Sequence, residues 1–355
     1  MKPAVPSGRR DRAIDLFKGL LVLGMVYCHV LQFFSDPQVY PSGQRWIEFI
    51  NLITFSGFVF SFGYASQLAY YAKPFRQAAP RMVKTAVKTL LAFYISGTAF
   101  RLFIDGRVLD WGTIRPILLL KDMPGWSEFL ASFTYLILLG MILFHPLRLL
   151  VERKWAGFAA AGLLLVTTWL PYGSFHVPQL APLVGTRDFA SFPVLPYFPY
   201  YIVGMLFARH RIVWDLRVLA GSAAASGAFV WKWLQAGGWP ERFPPSIWWI
   251  LGPALALYGY VLLARLLDRL SGSLTPLEAM GRNVLWFLVM SNMLIFALKN
   301  NRPDLLIDPY GALWMEAALL GVAGFGVWVV TKPRRSEMHD QAFAGRASLE
   351  KIESP

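Results

Sequence analysis

The sequence predicts an all-α, polytopic membrane protein of about ten transmembrane helices, with both termini in the cytoplasm. Of its 355 residues, 56% are hydrophobic and only 15% are charged, whereas a soluble domain carries roughly 25% charged residues. The mean hydropathy is +0.45. The apolar residues form long continuous runs, and a helix of about 20 such residues crosses a bilayer. Lipid is therefore the expected solvent for much of the chain.

The apolar runs place the predicted helices along the chain. We expect helices over residues 13–35, 46–72, 84–104, 126–150, 155–171, 192–210, 214–236, 246–268, 279–299 and 309–331. The first run is longer than the roughly 7–15 apolar residues of a secretory signal. It also carries Asp15, Lys18 and His29. We therefore predict that it is the first helix of the mature protein rather than a cleaved signal.

One membrane domain is expected to take up almost the whole chain. We predict it over residues 1–332, followed by a polar cytoplasmic tail over residues 333–355. The net charge of +13 is attributed to topology, because most Lys and Arg residues fall on the predicted cytoplasmic side, as the positive-inside rule requires. The expected location is the bacterial cytoplasmic membrane, with the lipid bilayer and no nucleic acid as partner.

Metal and disulfide chemistry have no support in the sequence. The five histidines show no ligand spacing, and Cys28 is the single cysteine. Neither a metal site nor an intrachain disulfide is expected, and no permanently bound cofactor is predicted.

Three ionisable residues in the first helix are the main functional signal, because charge within a spanning segment is costly. At about 100° and 1.5 Å per residue, Lys18 and His29 share one face and lie roughly 16 Å apart along the axis. Asp15 can pair with Lys18 at i,i+3. A buried histidine suits general acid–base chemistry. Helix packing would equally explain a lone His29, and interfacial anchoring would explain Lys18.

The same helix resembles the start of the type-3 membrane acyltransferase family. That family typically begins Arg-x-x-x-Leu-Asp-x-x-Arg and has a His eleven residues after the last Arg, and Asp15, Lys18 and His29 keep this register. Segments 55–64, 192–205 and 280–292 are also similar to later parts of the family. The middle segment further resembles heparan-α-glucosaminide N-acetyltransferase-like proteins.

The chain departs from the family pattern at three positions. Lys18 stands where the family usually has Arg, and the usual Arg-x-x-Arg at the start of the third helix is Arg81-x-x-Lys84 here. The late helix ends near Ser291 and Asn292, where many relatives carry a His.

The resemblance implies an enzyme that moves an acyl group, typically acetyl, from cytoplasmic acyl-CoA to a hydroxyl or amine of an extracytoplasmic glycan or lipid. O-acetylation of a cell-envelope polysaccharide is such a reaction, with acetyl-CoA as co-substrate. The catalytic residues would be His29, as general base or brief acyl carrier, and Lys18 with Asp15 balancing its charge. The residues expected to contact the acyl-CoA are Arg12, Arg76, Arg81, Lys84, Arg282 and Asn283.

Two other functions remain open from the sequence. A transporter or flippase would use the same polar face as a substrate path, although the internal repeats common in such proteins are not visible. A non-catalytic subunit would use His29 for packing alone.

Glu48 and Glu128 are the carboxylates expected to orient His29. The basic residues on the cytoplasmic side also follow from topology alone.

Overall fold

The computed structural model describes residues 11–270 and 274–331. These residues form fifteen α-helices and no β-strand, so the all-α prediction is confirmed. The predicted tail over residues 333–355 lies outside the described residues.

The helices alternate along the chain with short turns and 3-10 segments. They are α1 (Arg12–Phe34), α2 (Pro41–Ser66), α3 (Phe75–Phe103), α4 (Trp111–Leu118), α5 (Glu128–Ile142), α6 (Phe144–Leu150), α7 (Lys154–Leu164), α8 (Ala181–Val184), α9 (Val194–His210), α10 (Leu216–Ala236), α11 (Ile247–Leu251), α12 (Ala254–Arg269), α13 (Thr275–Arg282), α14 (Val284–Asn301) and α15 (Pro309–Thr331). A π-helical turn, Gln67–Tyr71, extends α2.

Six described helical segments are long and apolar enough to cross a membrane. They are α1, α2 with its extension to Tyr71, α3, the segment Ile247–Arg269, α14 and α15. Helices α5 and α6 make a seventh if the bent pair is one span. A polytopic membrane protein is therefore supported, while the count of about ten stays a prediction.

Several predicted helices differ from the observed ones. The predicted helix 126–150 is bent by 78° between α5 and α6. Pro146 explains the break, because it has no N–H to donate to the carbonyl of Ile142, the last residue of α5. The predicted helix 279–299 is divided at Asn283, and α3 begins at Phe75 rather than at residue 84.

Helix α1 lies at the centre of the fold and packs against α2, α12, α13, α14 and α15. Its start is capped by Asp11, whose side chain accepts a hydrogen bond from the N–H of Ala13. Glycines permit the close approach of α13, since a Cβ at Gly281 would lie 1.7 Å from the carbonyl oxygen of Asp15. Small residues at such contacts are typical of membrane helices.

Helix α1 begins and α15 ends at the same end of the helix array. Ile307, just before α15, donates to the carbonyl oxygen of Phe34 at the close of α1. Near the start of α14, the Trp286 indole donates to the Ala323 carbonyl oxygen in the second half of α15. We name the two ends of the array the Asp11 end and the Ser35 end, after the residues that cap α1. That the Asp11 end faces the cytoplasm stays a prediction.

Helices α2 and α9 are in backbone contact through two glycines. A Cβ at Gly204 would lie 2.0 Å from the carbonyl oxygen of Phe60, and one at Gly63 would lie 2.1 Å from that of Tyr201. Neither contact leaves room for a methyl group.

Gly204→Ala should therefore lower the free energy of unfolding by about 1–3 kcal/mol, the usual cost of forcing an extra methyl into a packed interface. Denaturant unfolding in detergent would measure it. The matched control is Gly227→Ala in α10, where a Cβ meets nothing within 4 Å, and which should be neutral or stabilising by up to about 1 kcal/mol. Equal stabilities for the two variants would contradict the close α2–α9 contact.

Candidate active site

His29 is held by a hydrogen bond from α1 to α14. Its Nδ1 lies 2.9 Å from Oδ1 of Asn292, while Nδ2 of Asn292 donates to the carbonyl oxygen of Trp126 at 2.9 Å. Because the Trp126 carbonyl can only accept, the amide nitrogen of Asn292 must face it and Oδ1 must face His29. Nδ1 of His29 therefore carries a proton and donates it, and in the neutral imidazole Nε2 has the lone pair.

Trp126 closes this arrangement into a ring of four residues. Its indole Nε1 donates to Oε1 of Gln32 at 2.9 Å, and Gln32 lies one turn after His29 on α1. Trp126 has a φ of 57°, a left-handed conformation that a bulky residue adopts only when its surroundings enforce it. Its two hydrogen bonds, to Gln32 and Asn292, supply that constraint. The orientation of His29 thus depends on three separate elements of the chain.

His29 faces a cavity of about 210 Å³, here called the inner cavity. One wall is α1, which contributes Met25, Cys28, His29 and Gln32 at the i, i+3, i+4, i+7 spacing of one helix face. Residues from other elements close the remaining walls: Asn51, Thr54, Phe55, Phe58, Gly125, Trp126, Glu128, Phe129, Ala190, Phe192, Arg242 and Phe243. Nε2 of His29 makes no hydrogen bond within the described part of the chain. A neutral imidazole with a free Nε2 is able to act as a general base.

A second cavity of about 400 Å³, the outer vestibule, lies at the Ser35 end. It shares Gln32, Asn51 and Arg242 with the inner cavity. Its volume falls in the roughly 300–1,000 Å³ range of small-molecule sites. Trp239 and Trp249 provide apolar surface, and its other polar lining comes from Ser35, Gln44 and Glu48.

Arg242 stands at the boundary between the two cavities. It lies in the loop between α10 and α11, and its guanidinium carbon is 4.5 Å from the ring centre of Phe243, 5.3 Å from that of Phe192 and 5.8 Å from that of Trp249. Burial lowers the pKa of Arg242, and Tyr197 acts in the opposite direction. An arginine stays charged under such conditions, so a cation faces the His29 cavity.

The Asp11 end carries a cluster of paired charges. Lys18 Nζ lies 2.9 Å from the Asp15 carboxylate, which is almost fully buried and also lies 3.8 Å from Nε of Arg282. Glu278 accepts from Arg282 at 2.9 Å and from Arg12.

A second pair at this end joins α1 to α12. Arg265 binds Asp11 through both terminal nitrogens, at 3.0 and 2.8 Å, and Tyr64 donates to the same carboxylate at 2.6 Å. Both pairs link α1 to the helices around it.

The predicted site residues thus fall into separate groups. Arg12, Asp15, Lys18 and Arg282 meet at the Asp11 end, whereas His29 lies about 16 Å further along α1 by helix rise. Asn283 donates its amide to the carbonyl oxygen of Ala279 at the end of α13.

The remaining predicted donor contacts are on α3. Arg76, Arg81 and Lys84 are exposed, and within the described residues none of them forms an ion pair. Their place beside an acyl-CoA stays a prediction.

The orienting partner of His29 is Asn292 rather than Glu48 or Glu128. Glu48 accepts from Gln44 one turn earlier on α2, at 3.0 Å. Glu128 does line the inner cavity, but the imidazole's hydrogen bond goes to an amide. The sequence signal that could have identified Asn292 as this partner was its position in the late helix of the family pattern. Arg242 was missed because it follows no helix periodicity in its loop.

A family model described as "Acyltransferase domain" matches residues 11–332. The chain belongs to the type-3 acyltransferase family. No curated protein and no solved structure matches it significantly. The resemblance seen in the first helix is therefore confirmed, and the protein is an enzyme that transfers acyl groups. The transporter and the non-catalytic subunit gain no support from this match.

Asn292→Ala in this acyltransferase should leave the Nδ1 proton of His29 without its acceptor and free the ring to turn. We expect acyl transfer to fall about 10- to 100-fold, as when a functional histidine loses its outer hydrogen-bond partner, with a smaller loss than for His29→Gln. Ser291→Ala is the control, because that buried hydroxyl only bonds the Leu288 carbonyl within its own helix. Full activity of Asn292→Ala would contradict the orienting role.

Glu278→Gln should destabilise the enzyme by about 1–3 kcal/mol. This is below the roughly 3–5 kcal/mol for breaking a fully buried pair, because Arg12 keeps 32% of its side chain exposed. The control is Glu241→Gln, whose pair with Arg187 is about half exposed on both sides and is worth about 0–1 kcal/mol. Denaturant unfolding of both variants at low and high salt would measure the two losses of stability. Equal losses would show that Glu278 does not hold α13 to α1.

Proposed function

We propose that this acyltransferase moves an acyl group, acetyl in the simplest case, from cytoplasmic acyl-CoA to a hydroxyl or amine of an extracytoplasmic glycan or lipid. The observation that supports this most directly is His29 itself, which lines the inner cavity beside the polar vestibule and has its hydrogen bond at Nδ1, so that Nε2 is free. In the cell this would be the bacterial cytoplasmic membrane, and O-acetylation of envelope polysaccharide is the corresponding process.

The donor side is assigned to the Asp11 end. Acyl-CoA carries several phosphate charges, and basic side chains pair strongly with phosphate. Arg282 keeps 49% of its side chain exposed despite its ion pairs, and Arg76, Arg81 and Lys84 are exposed at the start of α3. The thioester would then reach His29 from this end, while Asp15 keeps Lys18 in place.

The acceptor side is assigned to the outer vestibule. Tryptophan faces together with amide and carboxylate groups suit a hydroxyl-rich molecule, because the rings cover its apolar face while the polar groups bond its hydroxyls. The shared wall at Gln32 and Asn51 would allow one hydroxyl to enter the inner cavity.

The reaction needs only one base, because the proton taken from the acceptor hydroxyl is later given to the CoA thiolate. Nε2 of His29 takes the proton of the acceptor hydroxyl as its oxygen attacks the thioester carbonyl carbon. The tetrahedral intermediate then breaks its carbon–sulfur bond, and the departing CoA thiolate takes the proton from the imidazolium. The products are the acyl ester and free CoA. The hydrogen bond to Asn292 keeps the ring in place through both transfers.

His29→Gln should reduce acyl transfer about 10²- to 10⁴-fold, the usual contribution of a positioned base. The measurement uses purified protein in nanodiscs with radiolabelled acetyl-CoA, first alone and then with a membrane glycolipid extract. Glutamine keeps a side chain able to bond Asn292, so the fold should persist, as size-exclusion chromatography would show.

His145→Gln is the matched control, because His145 lies on α6 against Phe75 and Phe144 and does not line the inner cavity. Wild-type-like transfer by His29→Gln would exclude the proposed base. Absence of transfer or donor binding by the folded wild type, across acetyl and longer acyl-CoAs, would contradict the proposed donor.

A further inference from the structure

Arg242 is a half-buried cation whose side chain makes no hydrogen bond and no ion pair within the described part of the chain. Its Nε is fully enclosed without a partner, and no described carboxylate oxygen lies within 4.0 Å of its nitrogens. A buried charge without a partner is strongly unfavourable. The three aromatic rings beneath the guanidinium offset part of this cost, but they do not use its hydrogen-bond donors.

The position of Arg242 in the fold indicates which group could accept hydrogen bonds from its guanidinium. Arg242 and His29 line the same inner cavity, whose 210 Å³ correspond to about seven water molecules at roughly 30 Å³ each. An acyl carbonyl that a hydroxyl attacks within this cavity therefore reacts in a small space that both His29 and Arg242 line. No other Lys or Arg lines this cavity.

We propose that Arg242 stabilises the negative oxygen of the tetrahedral intermediate formed during acyl transfer. This inference rests on the proposed function. The thioester carbonyl oxygen gains a full negative charge when the acceptor oxygen bonds its carbon, and it loses that charge when the carbon–sulfur bond breaks. A donor already positioned for this oxygen needs no reorganisation at the moment of reaction, which makes such contacts among the largest contributions to catalysis.

The charges around the cavity are arranged for this transient pair. Attack creates an imidazolium at His29 and an oxyanion at the carbonyl. Glu128 also lines the cavity and has an Oε2 without a hydrogen-bond partner, so its carboxylate can compensate the imidazolium while Arg242 compensates the oxyanion. Each new charge then has an opposite charge within the same cavity.

A permanent anion on the acceptor explains the site less well. Such a group would have to share the small inner cavity with the reacting carbonyl and with Glu128, or occupy the vestibule, where Glu48 is also present. In the inner cavity it would compete with the reacting carbonyl for the donors of Arg242, and in the vestibule it would lie near a like charge, which disfavours binding.

The test is the kinetics of Arg242→Met with acetyl-CoA and the active acceptor extract, following release of free CoA. We expect kcat to fall about 10²- to 10³-fold, the range for loss of one oxyanion donor, while KM for acetyl-CoA stays within about threefold. An interaction made only in the transition state gives this pattern. Arg242→Lys, which keeps the charge and most of the stacking, should retain at least tenfold more activity than Arg242→Met.

Chemical rescue separates this role from a structural one. Methylguanidinium should restore part of the activity of Arg242→Ala, because the cavity left by the side chain can hold the free cation. Arg187→Gln is the control, since Arg187 is an exposed cation bound to the neighbouring Glu241 and should be needed for neither kcat nor rescue.

Three results would overturn the inference. A rise in KM for the acceptor at unchanged kcat would make Arg242 an anchor for the acceptor instead. Wild-type kcat in folded Arg242→Met would exclude it from catalysis, and equal loss in Arg242→Lys and Arg242→Met without any rescue would reduce it to packing. Lack of turnover by the wild type would instead contradict the proposed function, and this inference with it.

Discussion

The hydrogen bond between His29 and Asn292 is the interaction on which the site depends. It is 2.9 Å long, it joins α1 to α14, and it continues through Trp126 back to Gln32 on α1. Asn292 is almost fully buried, and an unmade hydrogen bond at a buried polar group costs about 1–3 kcal/mol. The four residues therefore hold one another in a single arrangement.

Helix α1 carries its charged residues at its start and His29 in its second half. Between Lys18 and His29, α1 carries apolar residues and glycines that pack against its neighbours. Its ionised groups are thus confined to the Asp11 end, where each of Arg12, Asp15 and Lys18 has an oppositely charged partner. Balanced pairs at the end of a helix bundle stabilise its assembly, and they keep the ionised groups of α1 away from His29. The charged residues of α1 thus lie at one end of the array and the polar vestibule at the other, with His29 and the inner cavity beside the vestibule.

Two features beside the inner cavity are costly for folding. Trp126 adopts a left-handed backbone conformation, and the Nε of Arg242 is enclosed without a hydrogen-bond partner. Such features cluster at functional sites, because the surrounding structure can enforce there what isolated segments would avoid. Both residues border the inner cavity. The loop that carries Arg242 and the segment that carries Trp126 are therefore parts of the site rather than mere connections between helices.

The sequence by itself determined the helical membrane class, the Asp15–Lys18 pair and the family. These depend on composition and on spacings within one helix. In a helix, the rotation of about 100° per residue fixes the direction of each side chain from its position in the sequence. The pair is observed at 2.9 Å.

Only the tertiary structure decided the partner of His29, the bend before Pro146 and the place of Arg242. Asn292 is 263 residues away from His29 along the chain, and Arg242 reaches the cavity from a loop. No local periodicity relates such positions. Their contacts form only when several distant helices pack together, and that packing depends on the whole sequence at once.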